Sequence, residues 1–342
     1  MESVIEKEEL VRNYLDQGNK EAAIKQLFDL VVACAKEKNF EAAEAMRSRI
    51  FEIDEMALSE IIRSGEIIEE EKRQAIDGDH LEIWTKLYDS LSVEEANALY
   101  FAFTKANYQT GETIFKQGEW KPRLYFIDTG RAKLVYFRDG REVFLKAVEP
   151  GQFAGDDAFF AFTLCTATMI ALSRIEARYL DSEILKVWRT TAPALESKLQ
   201  TFASSTEKIA DLLEAAEIDR RRYKRVDAVG KAIVQLMSLS EDPVGNPFKV
   251  DVCNISRGGV SFLVRITKRE RASQLFGKRL RVSYVHPRMD SAHVISQSGT
   301  IVAIHFPLLE DCAVDVEFDE LLPEALIKQL EKLSPSLQDF DF

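Results

Sequence analysis

Arg220, Arg221, Arg222, Lys224 and Arg225 crowd five cations into six positions, and charges held this close repel one another unless an anion lies among them. Guanidinium suits that anion. It is planar, permanently charged, bidentate toward phosphate oxygens or the acceptor edge of guanine, and able to stack on a base. About thirty residues on, Asn254-Ile255-Ser256-Arg257-Gly258-Gly259 supplies short polar groups and glycines. Asn254 and Ser256 fall on one side of an extended segment, and Gly258-Gly259 lets a ligand approach the backbone. The two stretches read as halves of one anion site, with recognition chemistry and no nucleophile or base. Each half also has a plainer reading. Arg-x-x-x-Arg arises by chance in a chain this long and fits a solvated helix end, and the second half fits a turn into a strand at 260–264.

In this order and at this separation, with β-like segments after, Arg221 and Arg225 followed by Asn254, Ser256 and Gly259 resemble the PilZ family, receptors for the bacterial second messenger cyclic di-GMP. The resemblance covers about a third of the chain and places such a domain at 219–335, a six-stranded β-barrel. It implies that Arg221 and Arg225, with Arg220 and Arg222 beside them, grip phosphates and guanine faces from the segment before the barrel. Asn254 and Ser256 would read the guanine edge and Gly259 would make the turn, with Gly258 beside it at the ligand. The family often has Asp where Asn254 stands, and Asn keeps the acceptor oxygen but loses the charge.

A net charge of −12 argues against bulk affinity for nucleic acid. The average hides a segregation: residues 1–78 sum to about −8, 219–290 to about +9 and 310–342 to about −8. The basic window coincides with the anion site, although a positive face that balances the acidic tail, or a nucleic-acid patch, would give the same count. Apolar residues make up 46% of 342, with only 9 Pro and 15 Gly, so the chain is expected to be globular and long enough for two or three domains. There is no run of eighteen apolar residues and no basic-then-apolar leader, which leads to the expectation of a cytoplasmic protein without a membrane span. Cys34, Cys165, Cys253 and Cys312, and His80, His286, His293 and His305, show no metal-ligand spacing, so reduced thiols and no metal are expected.

Residues 1–78 read as a helical module. Asn19-Lys20-Glu21-Ala22-Ala23 and Asn39-Phe40-Glu41-Ala42-Ala43 echo each other, each an Asn cap followed by Glu in the first turn. The pattern is similar to a tetratricopeptide unit, but the echo is too short for a solenoid, leaving a bundle that docks an output partner or covers its neighbour. A helical stretch at 80–106 then gives way to short strands with glycine turns at 124–127, 132–136 and 143–145. The spacing of Gly111, Ile114, Gly118, Tyr125, Gly130, Gly151, Phe153 and Gly155 resembles the cyclic-nucleotide-monophosphate-binding domain, a jelly-roll-like barrel with flanking helices, placed at 79–181.

That family's phosphate cassette carries Gly-Glu and a small residue, then an Arg before a Thr/Ser-Ala pair. Here the cassette reads Gly155-Asp156-Asp157-Ala158 and Cys165-Thr166-Ala167. Cys165 stands in the place of the Arg, which removes the main charge partner of a buried cyclic phosphate, and Asp156 in place of Glu shortens the reach to a ribose hydroxyl. The cassette is therefore expected to be degenerate, with Phe159, Phe160, Phe162 and Leu164 filling the pocket and cyclic AMP binding greatly weakened. A connecting helix at 182–218, with Leu185, Trp188, Leu195, Leu199, Phe202, Ile209, Leu212 and Leu213 near one face, is either a linker packed on its own chain or a homodimer seam. Beyond it, 248–252, 279–285, 299–304 and 313–318 read as strands of the second barrel and 322–333 as a closing helix. Arg265, Lys268, Arg269 and Arg271 form a basic turn.

The sequence thus leads to a multidomain α+β receptor for cyclic di-GMP, with no cofactor and no catalytic constellation. Dual sensing of cyclic AMP and cyclic di-GMP, nucleic-acid binding through the basic window, and a pure interaction scaffold stay open as alternatives.

Overall fold

The computed structural model describes residues 4–138, 140–216, 223–238, 240–265, 271–272, 274–289, 294–306 and 311–333. The chain divides into two compact units, Met1–Phe103 with Ile184–Leu199, and Thr104–Glu183 with Gln200–Phe342. The division falls after Phe103, so the helices between residues 78 and 100 group with the N-terminal helices.

In the first unit, α1 (Val4–Asp16), α2 (Lys20–Lys36), α3 (Phe40–Ile53) and α4 (Leu58–Gln74) enclose a core that includes Leu27, Leu30, Val31, Ile50 and Ile68. The two asparagine caps form as the sequence echo requires. Asn19 accepts from the Ala22 amide at 3.1 Å and Asn39 from that of Ala42 at 3.3 Å, each satisfying a helix-end donor. Three short helices follow, α5 (Gly78–Ile83), α6 (Thr85–Tyr88) and α7 (Val93–Tyr100), the last opened by a Ser92/Glu95 capping box. Lys198 Nζ donates to that Glu95 carboxylate at 2.6 Å and ties the later segment into this unit. The helical reading of 80–106 ran too far, because a strand begins at Thr104.

The second unit opens with β1 (Thr104–Tyr108), β2 (Thr113–Phe115), β3 (Arg123–Thr129), β4 (Ala132–Arg138), β5 (Arg141–Val148), β6 (Phe153–Ala154), the one-turn α8 (Asp156–Phe159), β7 (Thr168–Ala171) and β8 (Ile175–Asp181). These strands form two antiparallel four-stranded sheets, ordered β1-β8-β3-β6 and β2-β7-β4-β5. Gly111, Gly118, Gly130 and Gly151 make the turns with φ between 78° and 84°, conformations that cost an L side chain energy.

The stretch expected to be one connecting helix is three: α9 (Ile184–Thr191), α10 (Leu195–Ser204) and α11 (Ile209–Ala215). Pro193 accounts for the first break, since it lacks an amide and its ring restricts the preceding residue. Of the eight residues on the face read as linker or dimer seam, Leu185, Trp188, Leu195 and Leu199 are each no more than 2% exposed within this single chain, while Phe202 and Leu212 are half-buried.

A second barrel follows: β9 (Val226–Asp227), β10 (Lys231–Met237), β11 (Pro243–Ser256), β12 (Gly259–Arg265), β13 (Arg279–Tyr284), β14 (Ile295–His305) and β15 (Asp311–Phe318), then α12 (Glu324–Leu333). Six strands close in the order β10-β13-β14-β15-β12-β11 with β11 returning to β10, and β9 adds to the far end of β11. Closure leaves no long edge exposed. Val234, Val252, Ile255, Phe262, Val282 and Val314 fill it. The sequence reading missed β10, whose Lys, Ala, Gln, Leu and Met favour helix; tertiary pairing overrides that propensity by burying Ala232 and Val234.

The two barrels meet through the cassette loop. Phe162 donates its amide to the Ile304 carbonyl and accepts from the Ile304 amide, both at 2.9 Å, and Trp120 stacks on Phe276 with centroids 4.8 Å apart.

Candidate ligand-binding sites

β9 is only two residues long, yet it positions the arginine half of the motif. It pairs with β11 as Val226 with Ile255 and Asp227 with Asn254, so the next step of register brings Arg225 beside Ser256. A register shift in β11 between Val252 and Asn254 decides which side chains face out. Val252 and Ile255 both point into the core, leaving Asn254 half-buried on the outer side. Ser256 is buried to 9% exposure with its hydroxyl toward the Gly259 carbonyl at 3.4 Å.

Tyr223 closes over the glycines. A Cβ on Gly258 would lie 2.7 Å from the Tyr223 ring, and one on Gly259 would lie 2.3 Å from the Val316 carbonyl. Gly258 therefore admits the aromatic lid and Gly259 admits the neighbouring strand. The Arg257 guanidinium sits 5.5 Å from the centre of the same tyrosine ring, a cation–π contact. Lys224 pairs with Glu331 of α12.

Arg225, Ser256, Gly258 and Gly259 all line one cavity of about 910 Å³. Asn254 is not among its lining residues, and Arg220, Arg221 and Arg222 lie outside the described residues, as do Lys268 and Arg269 of the basic turn. The sequence reading missed Tyr223, His305 and Asp315, which line the same cavity. The outward alternation of Asp315 in its strand was the available signal. Arg225 Nη2 lies 3.6 Å from Asp315 Oδ2, and His305 Nε2 lies 3.5 Å from the same oxygen. Burial alone would raise the pKa of Asp315, but the His305 and Ser261 hydrogen bonds and the Arg225 charge hold it down to about 2. A depressed carboxylate stabilises the fold above its unfolded pKa near 4 and loses that contribution as pH falls toward 2. Asp315→Asn is therefore expected to cost about 2 kcal/mol at pH 7, a deficit that shrinks below pH 4 in urea unfolding followed across pH. A deficit independent of pH would point to packing instead.

The cassette of the first barrel is arranged differently from a vacant anion cradle. Gly155, at φ 95°, starts α8, where a Cβ would lie 2.2 Å from the Arg123 carbonyl. The amides of Ala158 and Thr166 donate to Asp157 Oδ1 at 3.0 Å and Oδ2 at 2.9 Å, so a carboxylate of the chain itself holds two donors across the loop. Cys165 is 2% exposed and its thiol is directed at the Lys121 carbonyl, 3.7 Å away. Burial, with Asp157 and Glu119 nearby, pushes that thiol up to about 12, which makes it an inert packing group. Burial and Asp157 likewise push Asp156 up to about 6.

The aromatic run does not fill this barrel as expected. Phe162 packs against the second barrel and Leu164 is exposed, while Phe159 and Phe160 are buried and meet edge to face. The interior is instead filled by Cys165, Ala158 and Ala167 together with Ile209 and Leu213 from α11. A bridging contact drew Phe162 away, which periodicity within one segment does not reveal.

Residues 105–187 match the family model described as the cyclic nucleotide-binding domain, and this stretch carries that domain. The cyclic AMP receptor protein of Thermus thermophilus is 26% identical over 231 residues, covering 66% of this chain and 96% of that protein. A CRP-like cAMP-activated global transcriptional regulator of Mycobacterium tuberculosis is 24% identical over 141 residues, 40% of this chain and 58% of its own length. The crystal structure of the N-terminal domain of a transcriptional regulator from Streptomyces coelicolor shares 26% identity, with a TM-score of 0.33 over 36% of this chain and 90% of that one. Among the described residues no helix is long and apolar enough to cross a membrane.

Proposed function

We propose that this protein is a cytoplasmic receptor for cyclic di-GMP, its second barrel a PilZ domain at 219–335 and its cyclic nucleotide-binding domain a structural or relaying partner. The observation that carries this reading is the convergence of Arg225, Ser256, Gly258 and Gly259, chosen by sequence motif alone, on one cavity of about 910 Å³. That volume lies within the range of cavities that enclose small ligands. Arg220, Arg221 and Arg222 belong to the same site in this reading and Asn254 reads the ligand from its rim. The ligand's phosphates draw the segment before β9 onto the barrel, and α11, which precedes that segment and packs in the first barrel, passes the change on. For this to act as a switch, the ligand must bind one arrangement preferentially. The helical module at 1–78 then presents the response to an output protein.

A second reading, cyclic AMP binding in the first barrel, draws on the family match and on the named function of the Thermus and Mycobacterium relatives. Against it stand a neutral thiol at Cys165 and a cassette whose amides already serve Asp157. Calorimetric titration of the full chain with cyclic di-GMP, then cyclic AMP and cyclic GMP, separates the readings. Binding of the dinucleotide with silence toward both mononucleotides is the expected result. Cyclic AMP binding would overturn the degenerate cassette, and silence toward all three would leave a nucleic-acid regulator or a scaffold, the former showing a steep salt dependence in a gel shift.

A further inference from the structure

The cavity that holds Arg225, Ser256, Gly258 and Gly259 is also lined by the first barrel's cassette: Asp156, Asp157, Thr166 and the nearby Lys208 line it together with them. We propose that Asp156 acts on this cavity as an affinity-setting residue, its carboxylate opposing the ligand's phosphates so that the first barrel tunes what the second one binds. The inference rests on the cyclic di-GMP reading and deepens it.

The charges around the cavity single out this residue. Asp157 spends both oxygens on the Ala158 and Thr166 amides. Asp315 is shared between Arg225 and His305, and Asp319 is held by Arg279 at 2.6 Å. Glu317 is exposed on its strand, where water screens it. Asp156 is half-buried and forms no ion pair among the described residues. The groups that face it are Asp157 from its own turn, Lys146 from β5, Lys208 at the start of α11, and His305, with which it also lines an adjoining cavity of about 420 Å³.

A dianionic ligand brought against an ionised, poorly solvated carboxylate is repelled, and the repulsion ends when the carboxylate takes up a proton. With Asp156 titrating near 6, cyclic di-GMP binding is expected to tighten as pH falls from 8 toward 5.5. Lys208 works in the opposite sense, as a cation lining the same cavity. In this proposal the cassette serves as a charged wall of the neighbouring site, joined to the second barrel by the Phe162–Ile304 backbone hydrogen bonds.

The test is titration of cyclic di-GMP into the full chain at pH 5.5, 7 and 8 with wild type, Asp156→Asn, Lys208→Gln and His305→Gln, each checked for an unchanged melting temperature. Asp156→Asn should bind about tenfold tighter at pH 8 and lose most of the pH dependence, and Lys208→Gln should bind several-fold more weakly. Wild-type binding whose pH dependence survives in Asp156→Asn and vanishes in His305→Gln would overturn the role of Asp156 while leaving the receptor reading intact. Should Asp156→Asn fail to fold, unchanged affinity in Lys208→Gln would overturn the cassette's role as a wall. No binding by any of the proteins at any pH would remove the receptor reading, and this inference with it.

Discussion

Arg225→Ala is expected to weaken cyclic di-GMP binding tenfold to a hundredfold. A charge-assisted hydrogen bond from a guanidinium contributes about 1.5 to 3 kcal/mol, and each 1.4 kcal/mol is a factor of ten in affinity. Arg225 is placed for such a contact by β9, beside Ser256 and within the cavity, with Asp315 holding one side of its guanidinium. Its planar fork leaves other donors for a phosphate. Arg225→Lys keeps the charge but not the fork, so its affinity should fall between the two, measured by calorimetry on the full chain. Arg221→Ala is expected to match Arg225→Ala. Undiminished affinity in both alanine variants would sink the site assignment.

Gly259→Ala should damage the second barrel itself. The new Cβ would stand 2.3 Å from the Val316 carbonyl, and that oxygen belongs to β15, paired with β12 through Gly259 and Glu317. Close-packed strands do not yield locally, so the pair must separate or the ladder must break, at a cost of about 3 kcal/mol or more. Gly258→Ala makes the informative contrast. There the clash is with the ring of Tyr223, a side chain that can swing aside, so ligand binding should weaken while stability barely changes. Urea unfolding alongside ligand titration distinguishes the two. Equal stability losses would mean that Tyr223 is as fixed as the strand.

Much of the local structure was legible because it depends on short-range rules. Asn19 and Asn39 announce their helices, since an asparagine side chain reaches the amide three residues on whatever else the chain does. The glycines of the first barrel mark its turns because few other residues adopt positive φ. The strands at 260–264, 279–285 and 313–318 declare themselves by alternation, and the closing helix by its period. At Cys165 the sequence shows a thiol where a guanidinium is expected, and the structure adds that this thiol is buried against the Lys121 carbonyl.

What the sequence by itself determined, then, was a helical module followed by two β-rich segments and the residue types of the proposed anion site, because capping, turn chemistry and strand alternation are properties of neighbouring residues. Tertiary structure decided the rest. The bulge in β11 sets which face Asn254 and Ser256 occupy, the two-residue β9 brings Arg225 to them, and Asp315 and His305 arrive from strands far along the chain. The aromatic run at 159–164 was misread because the partner of Phe162 is Ile304, more than a hundred residues away. Asp156, in the same cassette, lines the second barrel's cavity, which its own segment does not reveal. Long-range pairings of this kind have no local signature, because the free energy that selects them comes from burial and backbone hydrogen bonding across segments that the sequence keeps apart.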